Sequence, residues 1–208
     1  GNFSRVNGQS RAGVARLNAD GSLDTSLTSA FDGPVHSLAL QSDGRIVVAG
    51  AFGKVGATPR AKVARLTADG SLDTSFAPGA GADEVVRSVA VSPGGRIVIG
   101  GDFTLFGGQT LNRFARLNSD GTVDPTFDMG SGANGPVHAV VPQPDTATLI
   151  GGEFTQARDI ARNRIARLHG EEAFSSGIIQ FSASTYTVAE DVGSVLISVF
   201  RTGNTKDQ

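Results

Sequence analysis

The stretch AKVARLTADGSLDTSF at positions 61–76 decides how this sequence folds. It contains an apolar segment that ends on Ala-Arg-Leu, an Asp-Gly pair at 69–70, and a second short segment that ends at Phe76. Asp-Gly between apolar segments is among the strongest short-range hairpin signals, because glycine adopts a positive φ without steric cost. The stretch therefore predicts two antiparallel strands joined by a tight turn.

Three markers of this stretch recur along the chain in a common register. Ala-Arg-Leu occurs at 15–17, 64–66, 115–117 and 166–168, with spacings of 49, 51 and 51 residues. Gly-x-Phe occurs at 1–3, 50–52, 101–103 and 152–154. Asp-Gly-Ser-Leu-Asp occupies 20–24 and 69–73, Asp-Gly-Thr-Val-Asp occupies 120–124, and the fourth copy reads HGEEA at 169–173. The chain is therefore an array of a 51-residue repeat.

Each period predicts four short strands and no helix. In the second copy the strands are expected at 35–40, 45–50, 61–66 and 71–76, with Asp-Gly turns at 43–44 and 69–70. A glycine-rich loop separates the second strand from the third. A four-stranded antiparallel sheet repeated every 40 to 50 residues is one blade of a β-propeller, and each blade buries its faces against its neighbours.

The repeat boundaries predict an all-β fold with an incomplete set of blades. A half blade at 1–32 is followed by blades at 33–83, 84–134 and 135–174, about 3.5 blades in all. We expect them to be part of a seven-bladed ring whose other blades precede Gly1 in the natural protein. Open blade edges and bare apolar faces also favour self-association of the fragment.

Composition excludes several classes of function. The chain has no cysteine, which rules out disulfides, thiolate metal sites and thiol catalysis. Its formal net charge of −2 gives no electrostatic reason to expect a nucleic-acid partner. No run of 18 apolar residues is present, so no membrane-spanning helix is expected.

The repeat is similar to a known bacterial family. The Gly-Gly pair that ends the second strand at 100–101 resembles the kelch blade. The combination of Gly-x-Phe, ARLNADGSLD at 15–24 and Asp-Gly-Arg-Ile at 43–46 more closely resembles the delta-sixty repeat. The resemblance covers residues 1 to about 174. It implies a propeller in a large secreted or surface-attached bacterial protein, without established catalytic residues. The turn PDTA at 144–147 departs from the Asp-Gly pattern, which suggests that the array ends there.

Residues 175–208 predict the start of a second domain, a truncated β-sandwich. Segments 178–182, 185–188 and 194–201 have the composition of strands, and the Phe-x4-Tyr-x-Val-x-Glu-Asp-x-Gly pattern at 181–193 resembles the opening of a Calx-beta domain. In that family an acidic position matching Glu190 and Asp191 helps to bind Ca²⁺. The resemblance therefore implies a possible calcium site, although the family's further acidic ligands would follow Gln208.

Two recurring motifs each allow a structural and a functional interpretation. The repeat arginines Arg16, Arg65, Arg116 and Arg167 could form a ligand-binding ring. The favoured interpretation is structural: each would be mostly buried and bonded to a carboxylate or carbonyl, and Arg167 would use a different acceptor. The Asn18-x-Asp20-Gly21-x-x-Asp24 segment could bind Ca²⁺ or form a hairpin with side-chain-to-backbone bonds. The hairpin is favoured, because Arg16 stands where the first oxygen ligand would be.

A third set, His36, Arg87 and His138, occupies equivalent positions 51 residues apart. These residues could form a basic rim at one mouth of the central channel and bind a ligand. The alternative is that they are ordinary exposed residues near the end of a strand.

The aromatic residues are predicted to lie in the hydrophobic core. The chain has twelve Phe, one Tyr and no Trp. Phe recurs at blade positions and is expected to be buried at Phe52, Phe103, Phe154, Phe76 and Phe127. Leu27 takes the Phe76 position in the first copy, where looser packing is expected.

No catalytic constellation emerges from the sequence. We expect a non-enzymatic binding, scaffold or adhesion module of a bacterial cell-surface or secreted protein, with a protein or glycan ligand. The alternative is a carbohydrate-binding or carbohydrate-cleaving propeller, which the absence of Trp disfavours.

Overall fold

The chain divides into two compact units, Gly1–Glu171 and Glu172–Gln208. The structure, a computed structural model, describes residues 1–169 together with the strands Ile178–Phe181 and Val199–Thr202. Within these described residues all regular secondary structure is β.

Nineteen strands are described. In chain order they are β1 (Arg5–Val6), β2 (Gln9–Ser10), β3 (Val35–Leu40), β4 (Ile46–Gly50), β5 (Lys54–Val55), β6 (Thr58–Pro59), β7 (Val63–Leu66), β8 (Val86–Val91), β9 (Ile97–Gly101), β10 (Leu105–Phe106), β11 (Gln109–Thr110), β12 (Phe114–Leu117), β13 (Val137–Pro142), β14 (Thr148–Gly152), β15 (Gln156–Ala157), β16 (Ile160–Ala161), β17 (Ile165–Leu168), β18 (Ile178–Phe181) and β19 (Val199–Thr202).

Three of the sheets are copies of one blade. Their antiparallel orders are β3-β4-β7, β8-β9-β12 and β13-β14-β17, and we call them the first, second and third blades. The half-blade is residues 1–32. The first strands of successive blades pack against one another, β3 against β8 and β8 against β13. In the second unit β18 pairs with β19 in an antiparallel ladder.

The fourth strand is shorter than predicted in the half-blade and in the first and second blades, where the structure describes it. It is reduced to one bridge, such as Leu66 with Leu72 in the first blade. The chain turns away from the sheet directly afterwards, because the Phe76 N–H bonds back to the Asp73 carbonyl at 3.4 Å. That turn carries the Phe76 side chain toward the second blade.

The glycine-rich loop contains a small hairpin that the sequence analysis missed. It is β5–β6 in the first blade and recurs as β1–β2, β10–β11 and β15–β16. In the three blades each hairpin also forms one bridge to the segment before the first strand, as Val55 does with Phe31. The hairpins therefore tie the start of a blade to its second strand.

The hydrophobic core lies between blades. Three clusters of buried side chains each combine residues from two successive blades. The recurring rings are fully or almost fully buried there, as expected: Phe52, Phe76, Phe103, Phe127 and Phe154. The expectation of looser packing at Leu27 was wrong, because this side chain is only 1% exposed and packs against Gly70 of the first blade.

The described blades form an open arc. No backbone hydrogen bond joins the half-blade to the third blade within residues 1–169. On the face of the third blade that points away from the second blade, Ile165 is 62% exposed, whereas Phe114 at the same place in the second blade is buried. An apolar face is thus left without a neighbouring blade among the described residues.

Candidate functional site at the inner-strand rim

The repeat arginine of the first blade is the centre of a clamp that joins two blades. Arg65 is 4% exposed, and its Nε donates to Asp73 Oδ2 at 2.8 Å. Nη2 donates to Ser75 Oγ at 3.3 Å, and Nη1 donates to the carbonyl of Ser119 in the second blade. The guanidinium carbon lies 4.9 Å from the centre of the Phe76 ring, within range of a cation–π interaction. We call this arrangement the arginine clamp.

Two other copies repeat the arginine clamp. In the half-blade Arg16 donates to Asp24 at 2.6 Å, to Ser26 at 3.0 Å and to the Ala68 carbonyl of the first blade at 2.6 Å. In the second blade Arg116 donates to Asp124 at 2.7 Å and lies 4.5 Å from the ring centre of Phe127. These contacts give the repeated arginines a structural role.

Arg167 in the third blade uses different acceptors, as expected from the loss of the Asp-Gly-x-x-Asp motif. Its Nε donates to Gln143 Oε1 at 2.7 Å, Nη2 pairs with Asp145, and Nη1 lies 3.0 Å from the ring Nε2 of His169. The expected burial is found for Arg65 and Arg116 only. The side chains of Arg16 and Arg167 are 33% and 40% exposed, because each lies on an end of the arc.

A second arginine shares the clamp carboxylate. Arg45 Nε lies 3.5 Å from Asp73 Oδ2, and Arg96 Nε lies 3.0 Å from Asp124 Oδ2. The third blade has Ala147 at the position of these arginines and has also lost the clamp aspartate. The second arginine adds to the clamp without being its main ion pair, since Asp73 lies closer to Arg65, at 2.8 Å, and Arg45 lies closer to Asp43, at 3.2 Å.

The proposed calcium loop has its carboxylates already engaged. Asp20 Oδ1 accepts the Ser22 N–H at 2.9 Å, and Asp24 Oδ1 accepts the Ser26 N–H at 2.8 Å. The hydroxyl and N–H of Ser26, followed by Arg16, lower the pKa of Asp24 to about 2. Among residues 1–169, no three acidic or histidine side chains are grouped as a metal site requires. The geometry favours the hairpin interpretation.

The clamp carboxyls should make stability depend on acidic pH. Burial alone would raise the pKa of Asp73, but the bonds from Ser75 and Arg65 outweigh it and hold the pKa below its usual value. Asp24 shifts in the same direction. A carboxyl whose pKa is lower in the folded state stabilises the fold above the unfolded pKa of about 4.

The stability that such a carboxyl contributes is therefore lost as the pH falls through the pKa that the carboxyl has in the folded state. We expect the melting temperature to stay nearly constant from pH 7 to 5 and to fall mainly between about pH 4 and 2. Circular dichroism melts across this range measure it, with Asp73→Asn as the variant that loses less stability over the interval. Equal melting temperatures at pH 6 and 3 would contradict the expectation.

An Asp or Asn side chain, which we call the brace, holds the small hairpin of each blade. Asp83 Oδ1 accepts the N–H groups of Thr104 and Leu105, both at 2.9 Å. Asp32 does the same in the first blade, and Asn134 does it in the third. The 51-residue recurrence of these three residues was the sequence signal that could have revealed the brace.

Two substitutions of Asp83 should show whether the brace depends on a hydrogen-bond acceptor or on a negative charge. Asp83→Asn should be nearly neutral, because Asn134 makes the same two bonds through its Oδ1. Asp83→Ala should cost about 1 kcal/mol, since two N–H groups lose their acceptor. Chemical denaturation of both variants measures the difference, and equal losses for Asn and Ala would show that charge matters instead.

His36, Arg87 and His138 share one unusual backbone position. Each lies at a β-bulge in the first strand of its blade (β3, β8 or β13), which is the inner strand of that blade. The pairing register shifts there, as between Val35 and Ser37 in β3. Bulges redirect side chains. All three side chains are exposed, and they stand in register on three neighbouring blades. We call this row the inner-strand rim.

Acidic neighbours of Arg87 and His138 tell against the interpretation of the inner-strand rim as purely basic. Arg87 forms a two-bond ion pair with Asp102, at 2.7 and 2.6 Å, and His138 Nε2 lies 2.9 Å from Glu153 Oε1. Ala51 replaces these acids beside His36, which makes no hydrogen bond or ion pair with other described residues. The rim therefore presents a different polar group on each blade, held by the same backbone.

A groove lies at the opposite end of the same inner strands. It has a volume of about 570 Å³ and is lined by the turns between first and second strands, including Ser42, Pro93 and Pro144. Its lining mixes apolar side chains with hydroxyls and Gln41. The inner strands thus offer one candidate surface at each end.

Comparison with known proteins agrees with this geometry. Residues 1–27, 41–76 and 93–127, just under half of the chain, match a family described as "Domain of unknown function (DUF5122) beta-propeller". Each matched segment contains a repeat arginine and its clamp aspartate. The chain is built from β-propeller blades. No curated protein matches it.

Two further expectations concern a calcium site near the C-terminus and membrane-spanning helices. Glu190 and Asp191, the acidic pair with a suggested calcium role, lie outside the described residues. In the part that the structure describes, no helix is long and apolar enough to cross a membrane.

Proposed function

We propose that this propeller is a non-enzymatic binding module of a large bacterial surface or secreted protein, acting in adhesion or as a scaffold. The observation that carries the proposal is the contrast between a repeated framework and a varied inner-strand rim. The arginine clamp recurs in three of the four copies and the brace in all three blades, while the bulge positions carry His36, Arg87 and His138 with different neighbours. A rigid scaffold that displays variable exposed side chains is typical of a binding surface.

The assignments to the delta-sixty repeat and, for residues 175–208, to a Calx-beta domain belong to the same proposal. They support an extracellular location, because both resemblances point to secreted or surface-attached proteins. The ligand would be a protein or glycan with donors and acceptors that match the mixed charges of the rim.

Binding to immobilised glycans and to surface proteins tests the proposal. The triple variant His36→Ala, Arg87→Ala and His138→Ala should lose binding, while its matched control Ser42→Ala, Pro93→Ala and Pro144→Ala should keep it. The control changes equivalent positions at the other end of the same strands. Loss of binding in the control alone would place the site in the groove.

A carbohydrate-cleaving propeller is the second candidate. Asp102 and Glu153 occupy equivalent positions on neighbouring blades, and a pair of carboxylates is the usual requirement for glycoside hydrolysis. Both carboxylates are bonded to a basic side chain of their own blade, which favours a structural role. Turnover of chromogenic glycosides that disappears in Asp102→Asn and Glu153→Gln would support the enzyme instead.

A further inference from the structure

The chain contains two Asn-Gly pairs, and the fold gives them opposite surroundings. Asn7-Gly8 forms the tip of the hairpin β1–β2, and Asn134-Gly135 lies shortly before β13. Asparagine is a thermolabile residue in proteins. It loses its amide most readily before glycine, because glycine has no Cβ to shield its main-chain nitrogen. The two pairs share this local chemistry, so the structure around them decides how they differ.

The Asn7-Gly8 pair is open to solvent. Both residues are exposed, with φ of +49° and +78°, as in the two-residue turns that favour Asn-Gly. Arg5 Nη1 donates to the Gly8 carbonyl at 3.4 Å, but neither the Asn7 amide nor the Gly8 N–H makes a hydrogen bond with another described residue. A Cβ on Gly8 would meet no atom within 4 Å. The side-chain amide and the main-chain nitrogen are therefore both accessible.

The exposure of this turn is a property of the repeat. The equivalent turns of the first and second blades, at 56–57 and 107–108, are exposed as well, although the strands of those blades are all described. The residues at the three other turns are Gly56-Ala57, Gly107-Gly108 and Arg158-Asp159. Asn7 is therefore the one side-chain amide among the four equivalent turns.

The Asn134-Gly135 pair is held in place by the third blade. Asn134 Oδ1 accepts the N–H groups of Thr155 and Gln156, at 2.9 and 3.0 Å, and its Nδ2 donates to Thr155 Oγ1 at 2.9 Å. Gly135 is buried, and a Cβ on it would lie 3.0 Å from Phe154 Cα. The Asn134 amide carbon can approach the Gly135 nitrogen only if these hydrogen bonds break.

We propose that Asn7 is a site of spontaneous covalent modification in the folded protein, at which water converts the side-chain amide to a carboxylate. The Gly8 main-chain nitrogen attacks Asn7 Cγ, and its proton leaves with the side-chain nitrogen as ammonia. The product is a five-membered succinimide ring, which water then opens at either of its two carbonyl carbons. The overall reaction consumes one water molecule, releases one ammonia and needs no further reactant.

The two products should affect the hairpin differently. Cleavage of the bond to Cγ leaves aspartate, which tolerates a positive φ and keeps the turn. Cleavage of the bond to the Asn7 carbonyl carbon leaves isoaspartate, whose main chain runs through the side chain and is one carbon longer. Because the turn fixes the register of a hairpin, the extra carbon should weaken the pairing of Val6 with Gln9. Amide hydrogen exchange at Gln9 should therefore be faster in the isoaspartate form.

Incubation of the full chain at mildly alkaline pH, followed by peptide mapping with mass spectrometry, measures conversion at both sites in one sample. In the folded protein we expect Asn7 to convert at least about tenfold faster than Asn134, because the hydrogen bonds of Asn134 keep its amide carbon away from the attacking nitrogen. In urea the two sites should convert at similar rates, since unfolding removes those hydrogen bonds.

Two substitutions test whether the turn itself is responsible. Asn7→Gly gives the half-blade the Gly-Gly turn of the second blade, and it should abolish conversion at position 7 while the hairpin still forms. Gly107→Asn places Asn-Gly in the turn of the second blade, where φ is +60° at Gly107 and +85° at Gly108. A Cβ at Gly107 would lie 3.6 Å from its nearest neighbour, the Pro78 carbonyl oxygen, so the new side chain fits. The new asparagine should convert about as fast as Asn7.

The inference is overturned if the folded protein keeps the Asn7 amide, if Asn134 converts as fast as Asn7 in the folded protein, or if the difference between them persists in urea. A Gly107→Asn chain that keeps its new amide would overturn it as well. Unchanged exchange at Gln9 in the isoaspartate form would contradict the expected effect on the hairpin. None of these measurements involves a ligand of the inner-strand rim, so they and the test of the proposed function have independent outcomes.

Discussion

Asp73→Ala should be among the most destabilising single substitutions in the chain, with a loss of about 3–5 kcal/mol. The side chains of Asp73 and Arg65 are only 8% and 4% exposed. Removal of the carboxylate leaves the buried Nε of Arg65 without its acceptor, and the Ser75 N–H loses its bond to Asp73 Oδ1. The charge of Arg65 cannot be lost by deprotonation, so it stays buried without its counter-ion.

Asp24→Ala is the matched control for this prediction. It removes the equivalent carboxylate of the same motif in the half-blade. The Arg16 side chain there is 33% exposed, so water can replace the carboxylate as its partner. Urea unfolding of both variants measures the two losses. A loss at Asp24 as large as that at Asp73 would show that burial is not what makes the arginine clamp important.

Gly121→Ala should cost about 3 kcal/mol, for two reasons that add. The φ of Gly121 is +93°, a conformation that costs a residue with a Cβ roughly 1–2 kcal/mol. A Cβ there would also lie 2.8 Å from the Phe76 ring of the first blade. That ring is fully buried and cannot move aside without disturbing the core between the blades.

Gly21→Ala separates the two causes. Gly21 occupies the same turn position in the half-blade with φ +81°, but an added Cβ would meet no atom within 4 Å. Its cost should therefore be the backbone term alone, about 1 kcal/mol. Equal losses at positions 21 and 121 would mean that contact with Phe76 contributes nothing.

Features that depend on one blade could be predicted from the sequence. The spacing of Ala-Arg-Leu predicted the repeat, and the Asp-Gly pairs predicted the turns between strands. Periodic Phe residues predicted the core correctly, because a large apolar ring at a repeated strand position has few alternatives to burial.

Features that depend on contacts between residues far apart in the sequence could not be predicted from it. Arg65 bonds Ser119, 54 residues away, and nothing in the local sequence indicates which carbonyl lies within reach. The bulges that expose Arg87 leave no composition signal, and the shared use of Asp73 by two arginines appears only when the strands are paired. The acidic partner of Arg87 could not be predicted either, because Asp102 lies 15 residues away along the chain and beside it only in the sheet.

Two of the recurring polar contacts between blades run from a side chain of one blade to main-chain atoms of the next. The Arg65 side chain reaches the Ser119 carbonyl, and the Ser37 hydroxyl reaches the Val89 N–H. Each blade recognises the backbone of the next blade, which is the same whatever side chains that blade carries. A blade copied by gene duplication would therefore find the main-chain partners of these two contacts in place at once. Such an array can lengthen or shorten by unequal recombination without compensating substitutions at these polar contacts.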